Sequence, residues 1–252
     1  MERYFDINKP GYSIKCKLYC EQIREIQHVV VFLHGFGGHK DNKTAARFAE
    51  AAMSKFKKMA VLAFDWPCHG SDVRKKLTLE DCGIYLDYVL EYIREELHVT
   101  DICAYATSFG GYLTLKYLHE KGNPFRKIAF RCPAVMMYDA MSNRIMTEEN
   151  RRLLEKGKEA QVGFDRTVKV DQDFVNELRE QDVREMEFLD FADDLLVIQG
   201  TKDEILPYEE VMKFCDDNVI ECILIEDADH RFQDLQKLKL AHSHIIQFFA
   251  AR

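Results

Sequence analysis

Residues 101–118 read DICAYATSFGGYLTLKYL. A β-rich apolar run ends at Thr107, Ser108 follows, and beyond Phe109-Gly110-Gly111 the apolar spacing becomes helical. This pattern predicts a strand, a sharp turn and a helix, with a serine at the apex. Such a turn forces its serine into strained backbone angles and lifts the hydroxyl above the sheet, as a nucleophile requires. The positions two before and two after the serine must be small. Here they are Ala106 and Gly110, one methyl more than the usual G-x-S-x-G.

Working outward, further short apolar runs recur at 28–33 (HVVVFL), 60–64 (AVLAF), 128–130 (IAF), 195–198 (LLVI) and 219–225 (VIECILI). Runs of this kind suit strands covered on both faces. Helical spacing fills 43–56, 79–97, 110–121 and 232–250. Alternation of this kind predicts an α/β fold with a mostly parallel, doubly wound sheet. The alternating GYSIKCKLYC at 11–20 reads as an antiparallel edge strand. The rhythm breaks over about 133–190, where charged, helix-prone segments flank VGFDRTVKV. This stretch reads as a lid inserted into a single domain spanning 1–252, in preference to plain crossover helices.

Three more strand ends carry candidate chemistry. The run VVVFLHGFGGHKDN (29–42) places glycines just past a strand, where backbone approaches a ligand closely. In hydrolytic sites such a loop gives one N–H to a developing oxyanion, and the residue after the nucleophile gives another. That assigns the amides of Phe36 and Phe109. A phosphate loop is disfavoured, because neither GK[ST] nor GxGxxG spacing is present. His34 in this loop reads as structural. LLVIQGTKDEILP puts Asp203 past one strand, and ILIEDADHRF puts His230 past the last. The order serine, aspartate, histidine, at one edge of a parallel sheet, lets the three converge as nucleophile, orienting acid and general base. Asp193, Asp194, Asp227 and Asp229 compete as acids. His242 and His244 compete as bases, but they fall within the last helical pattern.

At these residues the chain resembles the α/β-hydrolase superfamily. His34-Gly35-Phe36, Asp65-Trp66-Pro67-Cys68-His69-Gly70-Ser71-Asp72, Ser108-Phe109-Gly110-Gly111, Gly200-Thr201-Lys202-Asp203 and Asp229-His230 stand where that family has its motifs. Ala106 and Cys68 replace family glycines. The short helix-and-hairpin lid and the HGF loop look similar to small bacterial feruloyl (cinnamoyl) esterases. The resemblance implies a carboxylic ester hydrolase acting on small aromatic or short-to-medium acyl esters, with no metal and no organic cofactor. Tyr138, Phe164 and Phe232 join Phe36 and Phe109 as candidate pocket residues. A peptidase, amidase or thioesterase is possible on the same triad, and the alternative of another class is an inactive binding module.

Composition bounds the remainder. A net charge of −8 disfavours nucleic acid and anionic membrane as partners. The eight cysteines show no CxxC pair and read as buried free thiols. The first 20 residues lack a secretory signal pattern, and no run is long enough to span a membrane, so a cytoplasmic location is expected. The apolar residues Ile245, Ile246, Phe248 and Phe249 of the last helix leave monomer and homodimer both open.

Overall fold

The computed structural model describes residues 1–251. The chain opens with β1 (Glu2–Lys9) and β2 (Tyr12–Tyr19), then alternates β3 (His28–Leu33), α1 (Lys43–Lys55), β4 (Met59–Phe64), α2 (Leu79–Glu95), β5 (Asp101–Thr107), α3 (Phe109–Lys121) and β6 (Lys127–Arg131). An inserted segment follows: α4 (Met137–Ala140), a π-helical turn, α5 (Glu148–Glu155), the hairpin β7 (Ala160–Gly163) and β8 (Thr167–Val170), and α6 (Gln172–Glu180). The main sheet resumes with β9 (Leu195–Gly200), α7 (Tyr208–Asp217), β10 (Glu221–Ile225) and α8 (Leu235–Ala250).

Eight strands form one sheet in the order β1-β2-β4-β3-β5-β6-β9-β10. From β4 to β10 every pairing is parallel, while β2 runs antiparallel to both β1 and β4. This corrects the expected edge strand. GYSIKCKLYC lies inside the sheet, and the outermost strand is β1, whose pattern is largely exposed. The polar alternation of 11–20 does not mark an edge here, since Cys16 to Tyr19 are all buried and none of β2 is exposed.

The central strands are buried end to end, as their unbroken apolar runs require. Helix α1 turns Ala45, Phe48, Ala49 and Ala52 inward, and Asn42 caps its start by accepting from the Thr44 amide. In α8, Ile245 and Phe249 are buried and Ile246 and Phe248 pack against the core. The inserted segment occupies 132–194, between the end of β6 and the start of β9, and the VGFDRTVKV interruption is its β-hairpin. Among the described residues, no helix is long and apolar enough to cross a membrane.

The junction of β5 and α3 is the tightest point. A Cβ on Gly110 would lie 2.3 Å from the Leu33 carbonyl oxygen and 2.7 Å from that of His34. The crowding therefore comes from the end of β3. Ala106, fully buried on β5, contributes none of the three nearest atoms. Gly110→Ala is accordingly expected to cost more than about 3 kcal/mol, because a backbone carbonyl cannot move aside. Ala106→Gly should cost only about 1 kcal/mol. Urea unfolding of the two variants checks this contrast.

Candidate active site

Ser108 stands between β5 and α3 with φ 50° and ψ −116°, a left-handed conformation for a residue with a side chain. Its backbone is held from three sides. Its N–H donates to the Arg131 carbonyl (3.2 Å), and its own carbonyl accepts from Tyr112 (3.1 Å) and Ala134 (3.0 Å). The hydroxyl is thereby fixed over the C-terminal edge of the sheet, half-buried.

His230 lies beyond β10 and Asp203 beyond β9, and the two loops close on Ser108. The Ser108 hydroxyl donates to His230 Nε2 (3.0 Å), and His230 Nδ1 donates to Asp203 Oδ2 (2.8 Å). The imidazole is 12 % exposed and the carboxylate fully buried. A Cβ on Gly200 would come within 2.3 Å of the Ala228 carbonyl oxygen, so these loops meet backbone against backbone. All three residues read from the sequence are thus brought into one hydrogen-bonded line.

Asp203 is held by more than its histidine. Its Oδ1 accepts from the amides of Ile205 (2.9 Å) and Leu206 (2.8 Å), and its Oδ2 from Gln199 Nε2 (3.1 Å). Burial works to raise its pKa, yet the hydrogen bond and charge of His230, with the Leu206 amide, hold the carboxyl below its ordinary value. It is ionised at neutral pH. Gln199 is fully buried on β9, and its one mark in the sequence is a polar residue at the end of an apolar run.

The HGFGG loop after β3 packs on the serine. A Cβ on Gly35 would lie 3.1 Å from Ser108 Cβ. Among the described residues no acceptor engages the N–H of Phe36 or of Phe109, the first residue of α3. Their rings meet edge to face at 5.6 Å, with His69 against both, 5.4 Å from Phe36 and 6.1 Å from Phe109. His34 is structural, as expected. Its Nε2 accepts from the Trp66 amide (3.3 Å), which leaves the proton on Nδ1 to donate to the Gly35 carbonyl (2.9 Å). The DWPCHGSD turn supplies the other lock: buried Asp65 accepts from the Lys40 amide (2.7 Å), Lys40 Nζ (2.9 Å) and the Ser71 amide (2.8 Å).

The competing residues are placed elsewhere. Asp227 pairs with Lys202 at the surface (2.6 Å), and Asp229 accepts from the amides of Arg231 and Gln233. His242 is buried on α8 beside Phe48 and Tyr105. Asp193 and Asp194 lie in a 3-10 turn at the opposite end of β9.

The candidate pocket residues Tyr138, Phe164 and Phe232 stand apart from the recess nearest the HGFGG loop. A recess of about 310 Å³ lies between the HGFGG loop, the 68–70 turn and the inserted hairpin, lined by Gly37, Gly38, Cys68, His69, Gly70, Arg166, Thr167 and Val168. Tyr138, Phe164 and Phe232 do not line it. Phe232 is 2 % exposed, anchored in the core under Arg131. Phe164 sits exposed at the hairpin turn beneath Arg231, and Tyr138 lies under Arg179. Each ring is covered by a guanidinium, which the apolar pattern of the sequence does not encode. Cys132, Asp203 and His230 place potential metal-ligand atoms within 4.8 Å of one another, but the acid and the base are committed to each other.

Residues 28–166, more than half of the chain, match the family model described as the alpha/beta hydrolase fold. The chain belongs to this family. Among solved structures it is similar to Est1E from Butyrivibrio proteoclasticus with ferulic acid bound, at 19 % identity and TM-score 0.78, covering 97 % of each chain. It is also similar to alpha/beta hydrolase domain-containing protein 10 from mouse, at 15 % identity and TM-score 0.70, again covering 97 % of each chain. A third is the monoacylglycerol lipase of Paleococcus ferrophilus, at 16 % identity and TM-score 0.67, covering 94 % of this chain and 98 % of that one. At such identities the likeness is one of fold. Comparison with curated protein sequences found no match.

Three histidines of this α/β hydrolase are buried and neutral. Burial lowers His69 to about 4 and His242 to about 3, and takes His34 well below its ordinary 6.5. Once unfolded, each binds a proton near pH ~6.5, so the unfolded state holds more protons and stability falls as pH drops from there towards the folded values. Each contributes a slope of up to about 1.4 kcal/mol per pH unit. Urea unfolding between about pH 6.5 and 5 should show this loss, and His242→Phe should make it shallower.

Proposed function

We propose that this chain is a serine hydrolase cleaving small carboxylic esters through an acyl-enzyme. The observation that carries this reading is the continuous line from the Ser108 hydroxyl through His230 to buried Asp203, at 3.0 and 2.8 Å. In this mechanism His230 Nε2 takes the Ser108 proton as the oxygen attacks the ester carbonyl. Asp203 fixes the tautomer that leaves Nε2 free to accept, and its charge stabilises the imidazolium that forms. Negative charge then develops on the former carbonyl oxygen. The amides of Phe36 and Phe109, which have no acceptor among the described residues, would receive it. The imidazolium protonates the departing alkoxide, and His230 next activates a water that releases the acid.

The inserted segment is proposed as a lid. Its hairpin closes one side of the 310 Å³ recess, large enough for a small acyl or alcohol group. That Est1E has been seen with ferulic acid makes hydroxycinnamate esters one arm of the test, although this recess has no Phe, Tyr or Trp in its lining. Short-chain esters are the other arm.

Wild type and Ser108→Ala should be compared on p-nitrophenyl acetate and butyrate, methyl ferulate and an aminoacyl p-nitroanilide. Serine-dependent ester cleavage is expected, with Ser108→Ala and Asp203→Asn each lowering kcat by about 10³-fold or more. A fluorophosphonate should label wild type at Ser108. Absence of both labelling and turnover would instead favour a binding module.

A further inference from the structure

We propose that Arg131 is a positioning residue that holds His230 in line with Ser108; this rests on the serine-hydrolase reading above. Arg131 ends β6, directly beside the nucleophile turn, and is only 7 % exposed. Its carbonyl accepts the Ser108 N–H (3.2 Å). Its guanidinium Nη1 donates to the Arg231 carbonyl (3.0 Å), and its Cζ lies 5.1 Å from the centre of the Phe232 ring. Arg231 and Phe232 are the two residues after His230, and Phe232 takes a left-handed φ of 54°. One side chain thus grips the outgoing half of the histidine loop, while its own backbone holds the nucleophile. The next residue, Cys132, is buried with its sulfur beside Asp203 and His230. The end of β6 therefore touches all three loops of the site.

Arg131 is poorly built for stability. Among the described residues no carboxylate pairs with it, and its Nε is buried without a partner. Tyr105 and His242, the polar side chains that feel its charge, are buried too, and neither Tyr105 Oη nor His242 Nε2 makes a close hydrogen bond. Taking a guanidinium out of water costs several kcal/mol, and an apolar side chain of similar volume commonly does as well or better in such a place. What an apolar residue cannot supply is the bond to the Arg231 carbonyl. That bond restrains the loop at a point where a displacement of about 1 Å is enough to lower the rate about a hundredfold. Loss of the restraint should act on the chemical step and leave ground-state binding alone.

The test compares wild type, Arg131→Met and Arg131→Lys by kcat and KM on p-nitrophenyl acetate, by Tm, and by hydrogen exchange of the amides of residues 229–232. Arg131→Met should lower kcat by about 10–100-fold with KM within about twofold, and keep its Tm within a few degrees. Exchange in 229–232 should quicken by about tenfold, since loop opening is no longer opposed. Arg131→Lys keeps a donor and should recover most of both effects. Three results overturn the proposal: kcat within about threefold of wild type in Arg131→Met; a loss of activity that follows a collapse of Tm and is no better in Arg131→Lys; or unchanged exchange in 229–232. If wild type turns over no ester and its serine resists a fluorophosphonate, the hydrolase reading fails by itself. The exchange measurement then decides the tether without reference to activity.

Discussion

Ser108 must hold a left-handed backbone conformation at the centre of the sheet's C-terminal edge, and the neighbouring structure is arranged to keep it there. Such a conformation costs about 1–3 kcal/mol and persists only where its surroundings over-determine it. Here β6 takes the serine N–H, the segment after β6 and the first turn of α3 bond its carbonyl, and the end of β3 presses on Gly110. Because β3, β5 and β6 are adjacent parallel strands, all three end at the same edge. Parallel pairing therefore does two things at once. It buries the apolar runs on both faces, and it brings separate loops to a single point.

Environment then assigns different roles to like residues. Asp65 and Asp203 are both buried carboxylates one or a few residues past a strand. Asp65 meets a lysine and two amides, closing the HGFGG loop onto the DWPCHGSD turn. Asp203 meets two amides, a glutamine and a histidine, and so keeps its charge while pointing it at an imidazole. The histidines divide in the same way. His34, His69 and His242 are sealed in and neutral, whereas His230 keeps one edge towards solvent and both ring nitrogens in the line of the site. Position relative to the sheet edge, more than residue type, separates scaffold from chemistry.

The inserted segment is joined to this edge by polar contacts as well as apolar packing. Arg231, next to His230, bonds Asp165 of the hairpin turn (2.6 Å), Tyr112 of α3 donates to the Gln181 carbonyl (2.9 Å), and Glu177 of α6 accepts the first amide of α2 (3.0 Å). The exposed pairs among them add little to stability and serve to orient. Their placement means that the residue after the proposed base touches both the fixed sheet, through its carbonyl, and the hairpin, through its guanidinium.

The sequence alone determined the strand-turn-helix at Ser108, the parallel core and the order Ser108, Asp203, His230. These are local matters: apolar run length, small residues at a turn, and a polar residue just past a strand leave marks a few residues long. The tertiary structure alone decided that β1 lies outside β2, that Gln199 supports Asp203, that Arg131 reaches the Arg231 carbonyl, and that Phe232 is an anchor in the core. Those facts depend on which strands lie side by side. Arg131 and Arg231 are 100 positions apart along the chain. Nothing in the spacing of either records the partner, because the hydrogen bond between them exists only once β6 and the loop after β10 have been brought to the same edge of the sheet.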